Sequence, residues 1–316
     1  LDAFDCGGNV AQVTKIAWAR STLNPWIGCS KVGPGCDHCY AEALDKRHKW
    51  GGATHWGASV PRYRTSEHTW KQPLKWNKQA ELEKGGALIP SNAEWSGPIG
   101  YWPVFCASLA DVFDNEVPSS WRFDLWNLIE ATPNLSWLLV TKRIGNVYNM
   151  VPWKWQSEFP VHVRLLITVC NQEEADRDIP KLIALPCKNG ISYEPALGSV
   201  DWSPWLGDKS LKDLIATFPP GAFPLPMHLT PRRSLEWIIV GGESTQGAGK
   251  ARPFDREWAY STIRQCRAAD VACFIKQLGS NVLARGCDVY APHFRDRAGA
   301  DPAEWPEDLR VQEFPT

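Results

Sequence analysis

Short apolar runs, each closed by polar residues, recur through most of this chain and alternate with stretches of helical periodicity. Val104–Leu109, Trp137–Thr141, Val163–Val169, Gly190–Glu194, Glu236–Gly241 and Ala272–Lys276 read as buried strands. Trp121–Ala131, Glu173–Leu185 and Arg256–Ala269 read as helices, with a helical turn at Gly145–Met150. Strands that are apolar on both faces and alternate with helices belong in a parallel sheet covered by helices. Ala17–Trp26 looks extended, and counting Ala17–Leu23 brings the strands to about seven, which suits a partial or complete β/α barrel. A flat doubly wound sheet is the alternative. No G-x-G-x-x-G follows a strand, so its dinucleotide-binding form is disfavoured.

The polar residues gather where such a fold places its chemistry. Ser108 and Asp111, Thr141, Lys142 and Arg143, Thr168, Asn171 and Gln172, Tyr193 and Glu194, Glu243 and Ser244, and Lys276 and Gln277 close successive strands. In a parallel barrel those ends form one rim, where barrel enzymes carry their sites. Helix caps and loop residues also sit there, which covers Ser108, Thr168 or Ser244 taken singly. Lys142, Arg143 and Lys276 need more, because a cation directly after a buried strand requires an anion, a cofactor or a carboxylate beside it.

Upstream of the strands the pattern differs. A helix is expected from about Tyr40 to Trp50, packing through Ala41, Ala43 and Leu44. Residues 51–103 read as irregular, with a short helical possibility around Asn77–Lys84. They carry Trp56, Trp70 and Trp76 and the basic side chains Arg62, Arg64, His68, Lys71, Lys75 and Lys78. A long segment without periodicity is commonly a lid or binding loop. The expected organisation is an extension over 1–16, a barrel over 17–280 with an insertion or lid at 51–103, and a further extension over 281–316.

Composition adds limits. No apolar run reaches the ~18 residues of a membrane span, and no export signal opens the sequence, so a cytoplasmic protein without membrane partners is expected. The 34 basic and 35 acidic residues nearly cancel, so any grip on nucleic acid must be local. The 18 Trp suit either a rich core or a stacking surface for bases. Ten Cys in such a chain are expected as thiols or metal ligands rather than a disulfide framework.

Three of those Cys stand apart. Cys29, Cys36 and Cys39 share one glycine-rich loop with C-x6-C-x2-C spacing. With a fourth ligand, three such thiolates make a closed zinc site. Without one, they hold three irons of a [4Fe–4S] cluster and leave the fourth iron open. His38 is poorly placed beside two of the Cys, while His48, His55 and Cys6 match no usual zinc-finger spacing. The other seven Cys are scattered, and Cys106, Cys170 and Cys273 read as packing residues.

The run NPWIGCSKVGPGCDHCYAEAL resembles the cluster loop of radical S-adenosylmethionine (SAM) enzymes. It is most similar to the three-Cys-motif, radical-SAM-like proteins of bacteriophages, and is also similar to spore photoproduct lyase and its relatives. The blocks SLADVFD (108–114), LLVTKR (138–143), ISYEPALG (191–198), IIVGGES (238–244) and FIKQLG (274–279) extend the phage resemblance over about residues 20–280. The resemblance implies an α/β fold of the radical SAM type, a partial or complete (β/α) barrel. It implies a [4Fe–4S] cluster on Cys29, Cys36 and Cys39, with SAM on the open iron and a flavodoxin or ferredoxin as electron donor. Tyr40 would lie by the adenine, Ser108 and Asp111 by the SAM amino group, Lys142 by its carboxylate, and Thr168 and Asn171 by the ribose. Two departures are plain: the superfamily's usual first gap is three residues, not six, and its Gly-Gly-Glu after the second strand is absent. Gly241-Gly242-Glu243 lies much later.

The phage resemblance further implies work on DNA or a nucleotide carrying a modified base, in the cytoplasm of an infected host. One expectation is an isomerase acting on a modified thymine, with Arg143, Glu194, Glu243 and Lys276 holding the substituent. A photoproduct-lyase-like repair enzyme is the second. A zinc-stabilised nucleic-acid-binding module without catalysis is the third.

Overall fold

The computed structural model describes residues 10–11, 14–86, 95, 97–207, 234–245, 250–283 and 294–315. The chain divides into two compact units, one comprising residues 1–32 and 40–165 and the other residues 33–39 and 166–316.

In the first unit, β1 (Val10–Ala11) runs antiparallel to β2 (Ser21–Leu23), which is followed by β5 (Pro103–Cys106) and β6 (Ser136–Thr141) in parallel register. Val104 faces Ser21 on one side and Trp137 on the other. A short antiparallel pair joins β3 (Trp26–Ile27) to β4 (Tyr63–Arg64), with the first helix between them in sequence. The helices are α1 (Tyr40–His48), α2 (Glu67–Lys84), α3 (Ser119–Glu130), α4 (Ile144–Met150) and α5 (Trp153–Ser157). The boundary between the units falls inside β7 (Val163–Thr168), whose six residues are all buried.

The second unit continues with α6 (Gln172–Ile183) and a parallel set of β8 (Lys188–Tyr193), β9 (Trp237–Gly241) and, after α7 (Arg256–Ala268), β11 (Ala272–Gln277). A parallel pair of β10 (Phe254–Asp255) and β12 (Val282–Leu283) flanks α7 in sequence. Residues Val311 and Glu313 bond the backbone of β11, so part of the 281–316 segment extends the packing of that strand. The class is mixed α/β, with the parallel β/α succession of a partial barrel read from the sequence. Among the described residues, no helix is long and apolar enough to cross a membrane.

Three expectations need correction. Residues 67–84 form an 18-residue helix rather than an irregular stretch. Ser66 caps it by accepting from the Thr69 N–H, and its buried stripe is Thr69, Gln72, Pro73, Trp76 and Ala80. That stripe has helical spacing, but two of its members are polar and one is proline, so apolar periodicity did not reveal it. Trp76 is 1% exposed and belongs to the core rather than to a substrate-facing surface. In α1, Ala41 is buried as expected, but the second buried position is Asp45, whereas Ala43 is exposed and Leu44 only half-buried.

The Trp excess is mainly core. Trp137, Trp155, Trp202 and Trp237 are fully buried, and Trp126 is 4% exposed. Each indole N–H finds an acceptor: Thr132 Oγ1, Glu130 Oε1, Thr262 Oγ1, Glu313 O and Met150 O respectively. Burial of a large ring with its one donor satisfied is the cheapest arrangement for tryptophan. Cys106, Cys170 and Cys273 are buried thiols, as packing residues should be.

Candidate functional site

The first unit holds the start of the Cys loop. Gly28 pairs with Ala110, just past β5, and its N–H donates to Leu109 O at 3.0 Å. The Cys29 carbonyl accepts from Gly57 N–H at 2.8 Å. Arg143, directly beyond β6, reaches the thiol: its Nη1 donates to Cys29 Sγ at 3.3 Å and to Asp111 Oδ2 at 3.1 Å. Its Nη2 donates to Ser30 O and Ser30 Oγ at 2.8 and 2.9 Å. Burial pushes the Cys29 thiol up to about 12, reinforced by Asp111 and Asp114 and opposed by Arg143.

Asp111 is saturated by protein. One oxygen accepts from Phe113 N–H and the Thr141 hydroxyl, the other from Lys142 N–H and Arg143. It straps the end of β5 to the end of β6. Ser108 shares its hydroxyl with the Asn24 side chain, and its carbonyl accepts from Tyr40 OH at 2.7 Å. Tyr40, Ser108, Asp111, Lys142 and Arg143 are thus brought to one end of the first unit's strands. Sequence reasoning missed what lies behind them. Asp45 is fully buried and accepts from the His55 backbone and from His55 Nδ1, so His55 is occupied. Arg62, one of the basic side chains of the expected lid or binding loop, is instead buried and ion-paired with Asp114 at 2.7 Å. A buried arginine needs a carboxylate, and its sequence neighbours gave no hint of one fifty residues away.

The second unit holds residues 33–39. Glu243, just past β9, is 7% exposed and forms a double ion pair with Arg252 and a 2.9 Å hydrogen bond with His38 Nδ1. Arg252 Nη1 also donates to Pro34 O at 2.9 Å and lies 3.4 Å from Asp37 Oδ2. Burial raises the Glu243 carboxyl, but the bonds from Arg252 and His38 overcome this and hold it below the usual range. Arg252 was not singled out by the sequence, where it stands in an unpatterned loop. Lys276 on β11 pairs with Glu194 beyond β8, so this cation has its carboxylate inside the chain.

Thr168 is buried at the end of β7. Asn171 caps α6, its Oδ1 accepting from Glu174 N–H at 2.9 Å, while Glu174 Oε2 accepts from Cys170 N–H at 2.9 Å. This is the reciprocal arrangement of a capping box, shifted by one residue. Asn171→Ala will therefore cost about 1 kcal/mol of stability, read as a lower urea midpoint, and Asn171→Asp will restore it. A ribose-binding role alone would leave the midpoint in place.

Cys36 is buried, and Cys29 and Cys39 are half-buried. Among the described residues, no group of three or more His, Cys, Asp or Glu side chains is gathered about an ion-sized site. Cys6 lies outside the described residues.

In comparisons with known proteins, no curated protein matches the chain. Among solved structures it is similar to a doubly substituted spore photoproduct lyase with bound AdoMet and dinucleoside spore photoproduct, at 13% identity and a TM-score of 0.35. That match covers 58% of this chain and 47% of the other, so the chain spans about half the length of that protein. A singly substituted spore photoproduct lyase is similar at 14% identity and a TM-score of 0.42, over 83% of this chain and 77% of the other. A family model described as "Protein of unknown function (DUF5131)" matches residues 13–300. With that much of its length matched, the chain belongs to the DUF5131 family.

Proposed function

We propose that this chain is a radical SAM-type enzyme whose Cys29, Cys36 and Cys39 hold a [4Fe–4S] cluster. The observation that carries the reading is where the Cys loop is held. In the first unit Cys29 is bound by Arg143, which follows β6. In the second, residues 34–38 are bound by Glu243, which follows β9, and by its partner Arg252. Each half of the loop is thus pinned by residues from C-terminal strand ends, where parallel β/α folds carry their chemistry. The donor set fits the group: cysteine thiolates are the ligands that iron–sulfur clusters require, and this one loop carries three Cys. The resemblance of the surrounding blocks to radical SAM proteins adds SAM as the second cofactor and a flavodoxin or ferredoxin as electron source. When bound, those groups would supply one-electron reduction and radical chemistry at a substrate carbon–hydrogen bond.

The chain's own residues bind and orient. Tyr40, anchored through its hydroxyl to Ser108 O, offers a fixed ring face for a base. Glu194 and Lys276 present a paired carboxylate and ammonium, each about one-fifth exposed, to which a zwitterionic substituent is complementary. The proposed substrate is a modified thymine in phage DNA or in a nucleotide, isomerised or otherwise altered in the host cytoplasm.

Anaerobic reconstitution with iron and sulfide tests this. The wild-type chain should retain about four irons with matching sulfide, and Cys29→Ser, Cys36→Ser and Cys39→Ser should each lose most of them. SAM and a reductant with modified-thymine DNA should then release 5′-deoxyadenosine. One zinc per chain, no sulfide and no SAM turnover would overturn the reading.

A further inference from the structure

Arg143 is fixed more tightly than a strand-end cation needs to be. It is 9% exposed, and its guanidinium touches Cys29 Sγ, Asp111, and both the carbonyl and hydroxyl of Ser30. Asp114 Oδ1 lies 3.7 Å from Nη2. The backbone is tied as well: Arg143 N–H donates to Thr141 Oγ1 at 2.9 Å, and that hydroxyl donates to Asp111 at 2.8 Å. A planar fork held on both edges cannot follow a mobile ligand; it dictates where the ligand sits. The sulfur it dictates is the first of the three Cys, and the adjoining Ser30 is fixed by the same guanidinium.

Resting on the cluster reading above, we infer that Arg143 is a positioning residue for the cluster rather than a contact for substrate. It sets the place of the Cys29 sulfur and gives it a charge-assisted N–H···S hydrogen bond that raises the reduction potential. Hydrogen bonds to ligand sulfurs and nearby charge are among the factors that set that potential. Reduction adds one electron and hence one negative charge. A fixed cation 3.3 Å from a ligand sulfur therefore favours the reduced state, in a buried site where screening by water is weak.

The test uses the full chain reconstituted anaerobically as wild type, Arg143→Lys and Arg143→Met. The readouts are iron per chain, far-ultraviolet circular dichroism and the midpoint potential followed by electron paramagnetic resonance. Arg143→Met should lower the reduced-to-oxidised ratio at a fixed applied potential at least tenfold, a shift of ~59 mV for one electron. Arg143→Lys keeps the charge and loses the fork, so it should fall between. Loss of iron with the fold retained in either variant also supports the role, because it means that Cys29 is no longer placed. If Arg143→Met fails to fold, Arg143→Lys alone carries the test. Iron and midpoint unchanged in the variants that fold would overturn the inference while leaving the cluster reading intact. A wild-type chain that holds no iron would remove both.

Discussion

Replacing Arg62 by methionine is expected to cost about 3–5 kcal/mol of folding stability, the range for removing one partner of a buried ion pair. The Arg62 side chain is completely buried and that of Asp114 is 1% exposed. Arg62 Nε and Nη2 both meet Asp114 Oδ2, at 2.8 and 2.7 Å. Its Nη1 donates to the carbonyls of His55, Gly57 and Val60 at 2.8 to 3.0 Å. Those residues lie in a stretch with no ladder of its own, so the guanidinium supplies the bonds that a helix or sheet would otherwise give. Methionine fills the volume but leaves a carboxylate and several carbonyls without their donor. Urea denaturation should show a much lower midpoint, with part of it recovered in Arg62→Met/Asp114→Leu, where the stranded charge is gone. A midpoint shift equivalent to under ~0.5 kcal/mol, ordinary for a surface substitution, would show that Arg62 is not the organiser of this segment.

Gly28→Ala should be comparably severe. Gly28 has φ of +111°, and a Cβ there would stand 2.3 Å from His55 O and 2.7 Å from His55 Cβ. The oxygen cannot retreat, because Arg62 holds it, and Asp45 holds the amide and imidazole of the same residue. Backbone strain of order 1–3 kcal/mol therefore adds to a collision with fixed backbone. Gly52→Ala separates the two contributions: its φ is +86° but nothing lies within 4 Å of the added carbon. That variant should lose only about 1–2 kcal/mol, the left-handed penalty alone. Equal effects at the two positions would mean that the His55 segment yields. Because Gly28 precedes Cys29, the alanine variant should also retain less iron after reconstitution.

The strands were legible in the sequence because burial on both faces leaves an uninterrupted apolar run, and their observed ends lie close to those expected. Helix α2 was not, because its buried face uses Gln72, Thr69 and Pro73 beside Trp76 and Ala80. The polar strand ends were legible as a set, while their partners were not. Arg143 needed an anion, and the structure provides Asp111 and Asp114. Lys276 needed one and takes Glu194. Glu243, expected to help hold a substrate substituent, is paired with Arg252 and His38. Apart from Glu243 with Arg252, these pairs span 29 to 205 positions and depend on which strand ends meet, and periodicity within a single segment carries no record of that.

The sequence distances in those contacts also order events during synthesis. Arg143 lies 114 positions beyond Cys29, Glu243 lies 205 beyond His38, and Arg252 lies 218 beyond Pro34. A ribosome delivers the Cys loop more than 200 residues before Arg252, the most distant of these tethers. During that interval Cys29 can already meet Arg143, while the contacts of Pro34 and His38 with residues 252 and 243 are still unmade. The loop can acquire its final shape, and any group that depends on that shape, only once residues 243 and 252 have been made.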